Sequence, residues 1–244
     1  MDPQFASAII LSLILLATTF MFMRGLRKLV WENFPAEKLI FSKSLGVLVA
    51  WIILTGILAR LEVFVSNELP PRPMLAMLTA LVSLLIFAFS ATGKKIIRIT
   101  PVHWLIFFQS FRILVELWFW YGYRQDVFPQ LMSFEGANHD IYAGLLAIVA
   151  GTILIRFPSY ARATGIAYNL AGILLLANTL KAAVTSFPSP IQQYAFDERL
   201  GLLAQFPFIY LPAVLVPLAL GIHIISISQL LKWKPAPSRA VSTQ

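Results

Sequence analysis

The chain has 244 residues, 59% hydrophobic and 12% charged, with a mean hydropathy of +0.78; a soluble domain carries about 25% charged residues. It has no cysteine, which excludes disulfides, thiolate metal sites and cysteine nucleophiles. The net charge of +8 is spread over the segments between apolar runs, so it reads as membrane topology and not as a nucleic-acid-binding surface.

Apolar runs long enough to cross a hydrocarbon layer of about 30 Å as helices recur along the whole sequence. In chain order they predict seven spans at 5–23, 44–65, 74–92, 102–123, 139–157, 165–186 and 206–231. The first span has no basic stretch before it and a basic cluster after it, the pattern of a retained helix and not of a cleaved leader. Trp31, within RKLVWENFPAEK, suits a short segment along the membrane surface, ended by Pro35. The second span is marked at its far end by Arg60 and Glu62, and a Pro-rich SNELPPRP loop precedes the third. Ala143, Ala147 and Gly151 make a small-residue stripe on the fifth span, fit for close helix approach. Pro212 and Pro217 interrupt the seventh. Residues 1–234 thus read as one all-α, seven-helix transmembrane domain, followed by a polar, disordered tail at 235–244.

Basic residues set the orientation. Thirteen Lys and Arg, among them Arg24, Arg27, Lys28, Lys38, Lys43, Lys94, Lys95, Arg98, Arg156, Arg162 and the tail's Lys232, Lys234 and Arg239, fall on one side, against Arg60, Arg72, Arg124 and Arg199 on the other. Most acidic residues, Asp197 and Glu198 included, sit opposite the basic side. The expectation is an N-terminus outside and a C-terminus in the cytoplasm, in a multi-pass protein of the plasma membrane (the inner membrane if the cell is bacterial).

The fourth span carries charge inside an apolar run. In FFQSFRILVELWFWYG, Gln109, Arg112 and Glu116 fall within a 60° arc at about 100° per residue, and Trp120 continues the stripe. Each such charge costs about 2.5–3.5 kcal/mol to insert, so this face must point into the bundle. On the sixth span Asn178 and Lys181 share a side with Thr185 at a similar depth. The expected arrangement pairs Glu116 with Lys181 and leaves Arg112 partly free to hold an anion, in a polar pocket that opens outward. The competing reading makes the same charges a structural network that fixes helix register.

Before the fifth span, MSFEGANHDIY gathers Glu135, Asn138, His139 and Asp140. These residues suit a cavity mouth, and Glu135 and His139 would share a face in a helical turn; Asn138 or Asp140 would equally cap the following helix. His103 and His223 read as interfacial or hydrogen-bonded side chains, and Asn169 as a packing polar. The histidines are too few and too scattered for a metal site or a haem, so no metal and no cofactor is expected.

Known seven-helix classes fail on their defining residues. A retinal protein needs a lysine in its last helix, and 206–231 has none. The topology resembles sugar transporters of the SWEET type, but Pro3-Gln4 and Pro129-Gln130 lie before the first and fifth spans and not within them. The function expected is therefore binding or transport of a small organic or lipid-like anionic ligand, with Gln109, Arg112, Glu116, Trp120, Asn178 and Lys181 lining the pocket. One alternative is a membrane-embedded enzyme acting on a lipid near the outer leaflet, with Glu116, Glu135, His139 and Asp140 supplying acid–base chemistry. A second is a receptor or structural subunit that docks other membrane proteins. Membrane lipids are the expected partners, nucleic acid is not, and a homo-oligomer is compatible with the sequence.

Overall fold

The computed structural model describes residues 1–196 and 199–232, and among them every regular element is helical. The tail from 235, Lys234, Arg239, Asp197 and Glu198 lie outside the described residues. The helices are α1 (Pro3–Asn33), α2 (Leu39–Arg60), α3 (Arg72–Phe89), α4 (Ala91–Ile99), α5 (Val102–Phe108), α6 (Phe111–Arg124), α7 (Ile141–Arg156), α8 (Ala161–Ser186) and α9 (Val216–Leu231). Six helical segments are long and apolar enough to cross a membrane, α5 and α6 together forming one of them; α7 is apolar but shorter. The architecture is consistent with a helical membrane bundle.

Four sequence boundaries need correction. The RKLVWENFPAEK stretch, 27–38, does not form a separate surface segment from its start: α1 runs unbroken to Asn33, because the first residue that cannot continue it is Pro35. A 3-10 turn at Pro35–Glu37 then leads into α2, which starts five residues before its expected span. The stretch after the third span is the short helix α4. Ser90 caps it by accepting from the Gly93 N–H at 3.1 Å, Lys94, Lys95 and Arg98 are exposed, and Gly93 and Ile96 are buried. Such a one-sided pattern suits a helix lying at an interface.

The third correction concerns the fourth span, which is two helices. Between α5 and α6 the backbone tightens into i→i−3 hydrogen bonds, from Gln109 to Ile106, Ser110 to Phe107, Arg112 to Gln109 and Ile113 to Ser110. α7 packs against this break through Gly144, where a Cβ would strike Ile113.

The seventh span, fourth of the corrections, begins at Leu211 with a π turn, Leu211–Leu215. Its two prolines each leave a backbone carbonyl without its usual helical donor. Pro217 has no N–H for the Ala213 carbonyl four residues earlier, and Trp51 Nε1 on α2 donates to that carbonyl instead, at 2.9 Å. Pro212 likewise gives nothing to Phe208, whose carbonyl accepts from Leu211 N at 3.1 Å.

Candidate functional site

Arg112 is the second residue of α6, at the α5–α6 break, and is only 2% exposed. Its guanidinium is enclosed by acceptors from three other segments. Nε donates to Asp140 Oδ2 at 2.7 Å, and a second bond from Nη2 to Asp140 Oδ1 completes a bidentate pair. Nη2 also reaches the Gly172 carbonyl on α8 at 3.3 Å, and Nη1 lies 2.8 Å from His223 Nε2 on α9. A planar fork with fixed donors suits such a cage, where a lysine would not.

The imidazole is held in one tautomer. Arg112 can only donate, so His223 Nε2 accepts. His223 Nδ1 then carries the hydrogen and donates to Asn169 Oδ1 at 2.8 Å. Asn169 Nδ2 passes the chain on to Ser226 Oγ at 3.0 Å and to the Gly165 carbonyl at 2.7 Å. Gly172 is needed here for space: a Cβ at that position would run into the His223 ring.

Asp140 is presented by the segment before α7. Asn138, fully buried, accepts the Asp140 N–H at 3.1 Å and the Thr179 hydroxyl at 2.6 Å, and donates to the Met132 carbonyl at 3.0 Å. Asn178 fixes the same segment by donating to the Ala137 carbonyl at 2.7 Å. Glu116, 1% exposed, lies beside Asn138 and Asp140, and its Oε2 has no hydrogen-bond partner. Gln109 donates to the Ala219 carbonyl at 2.8 Å while its own Oε1 stays unpartnered.

The expected site residues are therefore divided. Gln109, Arg112, Glu116, Asn138 and Asp140 are brought together inside the bundle. Lys181 is exposed on α8 and makes no ion pair among the described residues; α8 turns Thr179, not Lys181, toward the cluster, so the Glu116–Lys181 pair is replaced by Arg112–Asp140. Arg112 is in turn not free for an anion, because Asp140 neutralises it. Glu135 and His139 are exposed, and no helical turn joins them; Glu135 accepts instead from Trp120 Nε1 at 2.7 Å. That separation also divides the acid–base set of the enzyme reading into a buried pair and a surface pair. Sequence reasoning missed His223, Asn169, Gly172 and Thr179 as members of the cluster. The readable signal was the spacing His223–Ser226–Gln229, a polar stripe every third residue of α9, whose Gln229 donates to the Thr100 carbonyl at 2.9 Å.

The large open space lies elsewhere. A cleft of about 660 Å³ runs between α1–α2 and α3, α4 and α9. Leu26, Trp51, Leu84, Ile97 and Ile222 represent its walls, and Lys43 is the one charged side chain among its lining residues. None of the residues expected to line a ligand pocket borders it. Its walls come from the halves of α1, α2 and α3 nearest the basic loops, the opposite end from the expected mouth.

Fold and site together are consistent with a helical membrane bundle that buries an Arg112–Asp140 ion pair, with Glu116 beside it, in its interior. The chain belongs to the family described as Domain of unknown function (DUF8737), which matches residues 69–231, from just before α3 to the end of α9. That range contains every residue of the buried cluster and leaves out α1 and α2. No curated protein and no solved structure matches the chain.

Proposed function

We propose that the protein is a single-domain, multi-pass protein of the plasma membrane that binds, and through binding transports, a lipid-like ligand in the cleft between α1–α2 and the rest of the bundle. The orientation proposed from the basic loops puts the N-terminus outside and the open end of the cleft toward the cytoplasm. One observation carries the reading: the cleft of about 660 Å³ lies within the size of ligand sites, about 300–1,000 Å³, and is walled almost wholly by apolar side chains. The proposed role of the Arg112 cluster is to hold α9, which lines the cleft, in fixed register against α6, α7 and α8 behind it. The bidentate pair of Arg112 with Asp140 and its bonds to Gly172 and His223 support that role over the role of an anion anchor.

The test is mass spectrometry of lipid retained through detergent purification. The wild-type protein is expected to keep a defined amphiphile at about one per chain. Ala80→Trp and Val47→Trp, each placing an indole in the cleft, are expected to lose it while remaining folded. Equal retention by all three proteins would overturn the reading.

A further inference from the structure

Resting on that reading, we infer that the cleft takes one acyl chain of an anionic phospholipid from the leaflet on the basic side, with Lys43 as the headgroup contact. Depth comes first. Along α2 the lining runs from Ile40 to Trp51, about 16 Å at 1.5 Å per residue. That is about half of a 30 Å hydrocarbon layer, so the cleft is as deep as one leaflet and ends near the middle of the bundle. A lipid chain of that leaflet fits its length; a molecule crossing both leaflets does not.

Charge decides the headgroup. Lys43 is exposed at the end of the cleft nearest the basic loops and makes no ion pair among the described residues, whereas Lys95 is held by Glu37 at 3.1 Å and Lys38 lies over the Trp31 ring. No acidic side chain lines the cleft. Ser44, the next residue, and Thr92 across the cleft also line it without making a side-chain hydrogen bond to the described residues. Thr19, Ser90 and Thr100 have already spent their hydroxyls on their own helices' carbonyls. Ser83 on α3 also lines the cleft unbonded, so the free ammonium and hydroxyl groups of the wall are one cation and three hydroxyls, which suit phosphate oxygens and offer an ammonium headgroup no counter-charge.

The experiment titrates delipidated protein with phosphatidylglycerol or phosphatidylcholine of identical chains and counts bound lipid by native mass spectrometry. The wild type is expected to favour phosphatidylglycerol about fivefold, the contribution of one basic residue. Lys43→Gln should abolish the preference but keep chain binding, and Lys43→Arg should preserve it. Lys94→Gln, at the same end but outside the cleft, should change nothing. Equal binding of the two lipids by wild type, or a loss in Lys94→Gln as large as in Lys43→Gln, would overturn the headgroup assignment while leaving the cleft reading intact. Failure of wild type to retain either lipid would overturn both.

Discussion

Two sides of this bundle bury their helices in different ways. Around α6 to α9 the interior closes on charge, with Arg112, Asp140, His223, Asn169 and Ser226 linked end to end and glycine at Gly172 and Gly144 letting the backbones approach. Around α2 it closes on very little. Only 11% of the α2 span is buried, against 61% of the α5–α6 span. α2 is tied to the far side by the Trp51 bond to Ala213 and by Tyr210 Oη donating to the Ile52 carbonyl at 3.2 Å. The lesson is that the costly residues mark the rigid part here. A buried charge persists only where it is paired and hydrogen-bonded, and the groups that partner Arg112 fill the space around it; open space remains where the helices are apolar and lightly held.

The contrast breaks most sharply at the ion pair. Asp140→Asn removes the negative partner and leaves the Arg112 charge buried, which should cost about 3–5 kcal/mol, read as a large fall in the thermal midpoint in detergent. Arg112→Met/Asp140→Leu removes both charges and should cost less than Asp140→Asn alone. A double variant that loses more than Asp140→Asn would show that the two side chains do not act as a pair. A smaller effect comes from steric closure: Gly172→Ala pushes a methyl into the His223 ring and should destabilise by about 1–3 kcal/mol, whereas Gly46→Ala on α2, where a Cβ meets nothing within 4 Å, should leave the midpoint unchanged or raise it. Smallest is the tie between the two sides. Trp51→Phe keeps an aromatic ring but leaves the carbonyl freed by Pro217 without its donor, at about 1 kcal/mol, and should raise hydrogen exchange in α2 ahead of α6. Exchange that rises equally in both helices would contradict the separation of a light side from a rigid one.

Much of the helical layout was legible because apolar run length and proline position act locally. The fourth span's polar face was legible for the same reason: a charge that cannot face lipid must face inward. What the sequence withheld was partner choice. Depth alone matched Lys181 to the fourth span and left Asp140 at the outer end of the fifth; it is α8, turning Thr179 inward and Lys181 outward, and the buried segment before α7 that make Asp140 the partner. The break at Gln109–Ser110 carries neither glycine nor proline and gives no local sign. The cleft is invisible in the sequence for a different reason, since an apolar residue facing a void reads the same as one facing lipid.

The most direct test of the division between a sealed core and an open cleft measures lipid retention and thermal midpoint on the same samples of Ala80→Trp and Arg112→Met/Asp140→Leu. The division predicts that Ala80→Trp loses the bound lipid at an unchanged midpoint, while the double variant keeps its lipid and melts lower. Loss of lipid from the double variant, with retention in Ala80→Trp, would put the ligand at the charged cluster and contradict the account.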